Sequence, residues 1–325
     1  MEANARWVAL TAVAPVAWGA NYFVTREFLP MDRPLYGAAL RALPAGLALL
    51  ALRRRRPRGA WWWRSAVLGL VNVSVFFALV YVSSQLLPTS VASTVMAASP
   101  LTMMFIAWPL VSERPRPAHL AGAVIGLAGV CLMLLGGAGA ASVAGILAAA
   151  AAVLVSSFGH ILTKRWSGDA DMIATTAWQL TAGGLFLLPV AAVVEGAPPA
   201  LPPPTLLAFC YVALIATALA FTVWFTGLRH LPAGTVGLIG LLNPVTGVLL
   251  GTALAGEVLT VQQLCGLALV LAGVTLGRPR RATRHTDRHA DLRIDGHVDR
   301  QRPRSAVRPS RGTAANDRQG DTART

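Results

Sequence analysis

Residues 87–130 occur twice in this chain. Displacing the sequence by 144 positions lays Leu87-Pro88 on Leu231-Pro232, Pro100 on Pro244, Glu113 on Glu257 and Gly122 on Gly266. The same displacement brings Ala128-Gly129-Val130 onto Ala272-Gly273-Val274, and 12 of the 44 gapless positions are identical. Apolar composition produces chance matches among Ala, Leu and Val. It does not put a proline, a glutamate and two glycines in register. Each copy consists of two membrane-length apolar segments, with a proline inside the first and a glutamate at their junction. A unit this long is not the small repeat of a solenoid. A duplicated membrane domain is the build of many secondary carriers.

Composition agrees. Hydrophobic residues make up 55% of the 325 residues and charged ones 13%, against about 25% charged in soluble domains. Ten apolar spans are predicted, near residues 7–29, 34–52, 65–86, 89–111, 118–136, 143–163, 172–194, 205–228, 233–255 and 260–277. The expected fold class is therefore an all-α membrane protein. The stretch from Trp7 to Phe23 reads as an uncleaved first helix, because further spans come directly after it. Cys131, Cys210 and Cys265 all lie in apolar runs and read as space-filling.

The net charge of +14 divides evenly between tail and body, so it does not single out nucleic acid as a partner. From Arg278 onward there are 13 Arg and 6 Asp. In the body the cations stand in short loops beside spans, as orientation signals do. With the N-terminus in the cytoplasm, twelve Lys and Arg fall inside before the tail: Arg6, Arg53–Arg56, Arg58, Arg64, Arg114, Arg116, Lys164, Arg165 and Arg229. Only Arg26 and Arg33 fall outside. This bias predicts both termini in the cytoplasm and an even number of spans.

Five spans per copy is an odd number, so the two halves are expected to be inverted relative to each other. The predicted organisation is a first repeat over 7–136, a second over 143–277, and a disordered basic cytoplasmic tail over 278–325. In such inverted repeats a substrate site lies near the middle of the membrane.

Certain residues carry a resemblance to a known family. The first span has Trp18-Gly19, then Tyr22-Phe23 and Arg26; the second has Ala38-Ala39-Leu40-Arg41. The fourth has Ser99-Pro100 and ends in Glu113, and the ninth has Asn243-Pro244 and reaches Glu257, each succeeded by a Gly-rich helix. Over residues 7–277 the chain resembles the ten-helix EamA-type transporters of the drug/metabolite transporter superfamily. The sixth span departs, with Phe158-Gly159-His160 where a Trp-Gly opening would recur. The resemblance implies a polytopic carrier of small metabolites, often an exporter. Small multidrug pumps of that superfamily use a buried Glu in their first helix, whereas Glu2 and Glu27 lie at its ends here.

Several residues are candidates for the substrate pathway. Arg41 stands well inside a span, where a cation is costly and is expected to face protein or a cavity. It either attracts an anionic substrate group or pairs with Glu27 or a carbonyl. Pro100 and Pro244, expected mid-helix, can free carbonyls beside Ser99 and Asn243. Trp18, Asn21, Tyr22, Tyr81, His160, Gln179 and Trp224 supply polar and aromatic groups, with Gln179 holding in the seventh span roughly the place of Arg41 in the second. Glu113 and Glu257 lie where a span becomes a loop, and each is expected to cap the next helix. Arg114 and Arg116 offer ion pairs to Glu113. Trp61-Trp62-Trp63 reads as an interfacial anchor, and Gly122-xxx-Gly126 and Gly247-xxx-Gly251 read as packing.

No phosphate-binding Gly-rich loop and no His/Cys/Asp/Glu cluster with metal spacing occurs, so no cofactor, metal or catalytic residue is assigned. The expected function is secondary transport, outward, of small polar metabolites such as amino acids across the cytoplasmic membrane. Multidrug efflux is the alternative within the class; an intramembrane enzyme or a scaffold are alternatives outside it. The expected partners are a small-molecule substrate, the lipid bilayer, protons as coupling ion and a second copy of the chain.

Overall fold

The computed structural model describes residues 2–29, 33–87, 95–134, 142–168, 170–255 and 260–277, with some side chains inside helices, Asn21 and Tyr22 among them, left undescribed. Every regular element among these residues is helical, which keeps each backbone group paired within its own segment in lipid. Ten spans succeed one another. They are α1 (Glu2–Phe28), α2 (Pro34–Arg53), α3 (Trp61–Gly69, Leu70–Val75 and Phe76–Leu86), α4 (Ser99–Val111) and α5 (Pro117–Leu134). Then come α6 (Val143–Ser167), α7 (Met172–Glu195), α8 (Pro203–Ala213, Leu214–Leu219 and Ala220–His230), α9 (Ala233–Gly240 and Leu242–Ala255) and α10 (Val261–Leu276). By length and composition, Pro34–Arg53, Trp61–Ser83, Val143–Ser167, Met172–Val194 and Pro203–His230 suit a membrane crossing, and shorter apolar helices accompany them.

Local chemistry sets the helix starts. Pro34 and Pro203 stand in first turns, where an N–H has no helical partner to lose. Asp171 caps α7 by accepting from Ile173 and Ala174, and Thr260 and Gln263 form a capping box on α10. α3 starts at Trp61 rather than 65, so the tryptophan triplet forms its first turn; α6 runs on to Ser167 rather than 163. That extension places Lys164 and Arg165 in the last turn of α6, where cations favour the carbonyl end of a helix.

The duplication persists in backbone detail. The middle pieces of α3 and α8, Leu70–Val75 and Leu214–Leu219, are both π-helical, and they stand 144 residues apart. α4 restarts at Ser99 after a turn at residues 97–98, and α9 restarts at Leu242 after a turn at Leu241. Pro100 and Pro244 therefore lie in the first turn of a restarted helix, not mid-helix. A proline cannot continue the preceding ladder but can begin a new one.

The halves are inverted. Gly122 of α5 packs on Gly273 of α10, and Gly129 packs on Gly266, so these repeat-related helices run antiparallel. A Cβ added at Gly122 would lie 2.5 Å from the Gly273 carbonyl oxygen; only glycine permits that approach. α2 and α7 are also antiparallel: Gly46 packs on Thr181 and Gly184 packs on Leu43. Those contacts are each other's images if α7 is α2 displaced by 138. The displacement is 138 here and 144 from α3 onward because α7 runs four residues longer than α2, and α8 begins two residues before the counterpart of Trp61. Large apolar side chains such as Val193, Leu147 and Leu207 point outward, as a lipid solvent requires.

Candidate functional site

Near the middle of the spans, a cavity of about 260 Å³ opens between both halves. Its wall is built largely from repeat-related pairs: Phe77 with Phe221, Val80 with Trp224, Met96 with Gly240, Ala97 with Leu241, and Ser99 with Asn243. Each pair is separated by 144 residues, so the cavity sits on the pseudo-twofold axis. Its asymmetric wall residues include Trp18, Arg41, Ser156 and His160.

Arg41 is the charged side chain among the described lining residues. Its Nε donates to Thr217 Oγ1 at 3.0 Å and an Nη to the Ala216 carbonyl at 3.4 Å. The guanidinium also lies 4.8 Å from the Phe77 ring centroid, a cation–π distance. Ala216 and Thr217 belong to the π-helical piece of α8, where the widened turn redirects backbone groups. Trp18 Nε1 donates to the same Ala216 carbonyl at 2.9 Å. One irregular turn thus orients the cation and one indole of the wall.

The other half repeats this design with neutral groups. Displaced by 138, Arg41 falls on Gln179, and Ala216 corresponds at 144 to Asn72 in the π-helical piece of α3. Asn72 Nδ2 donates to Gln179 Oε1 at 2.9 Å and to Thr163 Oγ1 at 3.1 Å. Both side chains are buried, and neither lines the cavity. Gln179 therefore stands in the place of Arg41, but in a buried amide pair outside the cavity lining, with Asn72 Oδ1 and Gln179 Nε2 making no hydrogen bond among the described residues.

The remaining candidates divide. Trp18, Arg41, Ser99, His160, Trp224, Asn243 and Pro244 line the cavity together. His160 contacts the Trp224 and Phe225 rings edge-on, with centroids 5.7 and 5.6 Å away. Trp224 is 3% exposed, and among the described residues its Nε1 makes no hydrogen bond; neither does Asn243 Oδ1. A buried donor and a buried acceptor left open are costly unless something occupies them. Tyr81 packs beside the α2–α7 core instead of lining the cavity. Pro100 is buried against Gly237. The side chains of Asn21 and Tyr22, and Glu257 altogether, lie outside the described residues.

Glu113 differs from expectation in its partners. Its Oε2 accepts from the backbone N–H of Ala233, 2.7 Å away, at the start of α9, not from the next helix in the chain. Its ion pair is with Lys164, whose Nζ also donates to the Leu231 carbonyl at 2.7 Å. Arg114 and Arg116 stay exposed in the loop. The carboxylate thus ties the ends of α4, α6 and α8 to the start of α9.

Phe76, Phe77, Phe221, Met103 and Ser156 also line the cavity and were not singled out from sequence. Carrying the 144-residue displacement upstream of Leu87 pairs Leu70 with Leu214 and Phe77 with Phe221, which was the available signal.

An inverted ten-helix bundle with a polar and aromatic cavity on its dyad is the build of a secondary carrier. The chain belongs to the EamA-like transporter family, whose pattern matches it twice, over residues 5–135 and 143–277. It is thereby a multi-pass membrane transporter of the drug/metabolite transporter superfamily and not an enzyme. It is similar to protein PecM of Dickeya dadantii, with 34% identity over 81% of this chain and 89% of that one. It is 30% identical to the uncharacterized inner membrane transporter YedA of Escherichia coli, over 80% and 87% of the two chains. Similarity also extends to the probable amino-acid metabolite efflux pump of Salmonella typhimurium, at 25% identity over 85% and 97%. A crystal structure 22% identical in sequence shares the fold, with a TM-score of 0.71 over 84% of this chain and 96% of that one.

Proposed function

We propose that this carrier exports small polar metabolites bearing a carboxylate, amino acids or their relatives, across the cytoplasmic membrane. The observation that carries this reading is Arg41 in the wall of a mid-span aromatic cavity. A guanidinium offers five donors in a planar fork suited to a carboxylate. In a site of low polarity its field disfavours cationic drugs, which argues against multidrug efflux of the cationic kind. Trp224 Nε1 and Asn243 Oδ1 supply one donor and one acceptor for the rest of a zwitterion. The Salmonella relative's name supports both the substrate class and the outward direction.

In this reading Trp18, Ser99, Pro244 and His160 shape the pathway, with Asn21 and Tyr22 contributing from α1. Protons are the coupling ion. Residues 7–136 and 143–277 act as the two exchanging repeats, and residues 278–325 form a cytoplasmic tail outside the transport unit. Both termini are cytoplasmic, and two copies associate as a homodimer.

The test is the extracellular metabolite profile of cells expressing the chain, compared with an Arg41→Leu variant at equal membrane levels. One amino acid or related acid is expected to accumulate with the intact chain and to fall by roughly tenfold or more in the variant, since a hydrogen bond to a charged group contributes about 1.5–3 kcal/mol. Equal accumulation in both strains refutes the role of Arg41. Accumulation in neither refutes export.

A further inference from the structure

A second concavity lies far from the transport cavity, where α2 ends and α3 and α7 begin. It measures about 830 Å³ and is lined by four arginines between residues 54 and 58, by Trp61 and Trp178, and by Asp171. The loop that carries the arginines is pinned rather than loose. Asp171 Oδ2 stands 3.3 Å from Arg53 Nε and 3.7 Å from an Nη of Arg55. Trp178 Nε1 donates to the Arg55 carbonyl at 2.8 Å, and the Trp61 and Trp178 rings meet at 5.5 Å. Arg54 holds a left-handed backbone at φ 49°, closing α2. So the backbone of the loop is fixed from three directions.

The side chains of Arg54, Arg56 and Arg58 make no hydrogen bond or ion pair among the described residues. Asp171 already serves Arg53 and Arg55 and the N-terminus of α7. Three guanidinium groups therefore face one hollow with no counter-charge left over. The rest of the wall is largely apolar. Trp61 and Trp178 line it with Ala170 and Ala174, at the ends of two spans, and indoles in that place settle at headgroup depth. A soluble anion needs no such wall. A molecule with a phosphate at one end and hydrocarbon at the other fits both parts.

We infer that this concavity is a binding site for the headgroup of an anionic phospholipid. Arg54, Arg56 and Arg58 grip the phosphodiester, and its glycerol and acyl chains lie against Trp61 and Trp178. The site stands independently of which metabolite is carried.

Native mass spectrometry of the purified full-length chain from equimolar phosphatidylglycerol and phosphatidylcholine micelles tests this. The intact chain is expected to retain phosphatidylglycerol over phosphatidylcholine by roughly tenfold or more, given a gain of about fivefold per surface arginine. The triple variant Arg54→Gln, Arg56→Gln, Arg58→Gln is expected to lose that preference, and Arg56→Gln alone to lose part of it. Arg114→Gln with Arg116→Gln removes charge from another loop and is expected to leave the preference intact. Unchanged retention in the triple and single variants overturns the proposal. So does an equal loss in the other-loop control, which would mean diffuse charge. Displacement of the lipid by millimolar inorganic phosphate also overturns it, because a free anion would then be the occupant.

Discussion

Arg41 and Gln179 illustrate how one position, used twice, takes two roles. Both reach the π-helical piece of a neighbouring span, one through Thr217 and Ala216, the other through Asn72. The charged version borders the cavity; the neutral version is buried and does not line it. Glu113 shows a different economy, since one carboxylate caps α9 and pairs with Lys164. With side chains 29% and 13% exposed, the pair is partly shielded from water. Glu113→Gln keeps the shape but removes the charge from both partners. It is expected to lower stability by about 1–2 kcal/mol, less than a fully buried pair because solvent still reaches it. Thermal unfolding of the detergent-solubilised protein measures this, and restoration by a second change, Lys164→Met, would show that the unpaired ammonium is the cause.

Among the helices, the paired π-turns are the feature that binds local structure to the cavity. A π-turn absorbs one extra residue with little rotation of the succeeding turns, at the cost of an imperfect ladder. It recurs at functional positions for that reason. Deleting Ile215 lets the ladder of α8 close with ordinary spacing and withdraws the Ala216 carbonyl from Trp18 and Arg41. We expect the deletion variant to reach the membrane at near-normal levels but to export roughly tenfold less, as loss of a charged hydrogen bond implies. Normal export with the deletion would show that the π-turn is only a packing accommodation. The broken spans α4 and α9 obey the same logic: a turn before Pro100 or Pro244 places Ser99 and Asn243 at the cavity wall.

For the molecule as a whole, orientation is the open prediction. It rests on twelve Lys and Arg against two in the loops before the tail. In a background lacking Cys131, Cys210 and Cys265, Arg58→Cys is expected to react with an impermeant maleimide only after lysis, and Ala200→Cys in intact cells. The reverse labelling would invert the assignment. Deleting residues 278–325 is expected to leave transport intact, whereas loss of export with normal insertion would give the tail a transport role.

The sequence alone determined the repeat, the ten spans and the inversion. Apolar run length reports the solvent directly, and an odd span count per copy dictates opposite orientation whatever the packing. It also held seven of the seventeen residues of the cavity wall: Trp18, Arg41, Ser99, His160, Trp224, Asn243 and Pro244 were legible because polar, aromatic or proline residues inside a span stand out against Leu and Ala. Only the tertiary structure decided which of these meet. Phe77 and Phe221 look like any lipid-facing phenylalanine until the fold turns them inward together. The correspondence of Arg41 with Gln179 was legible although the displacement is 138 there and 144 elsewhere; that Gln179 is buried away from the cavity was not. Glu113 found its partners on α6 and α9, 51 and 120 residues away. A carboxylate at the end of a helix pairs with whatever donor the packing brings near, and that choice is made by the arrangement of helices rather than by neighbours in the chain.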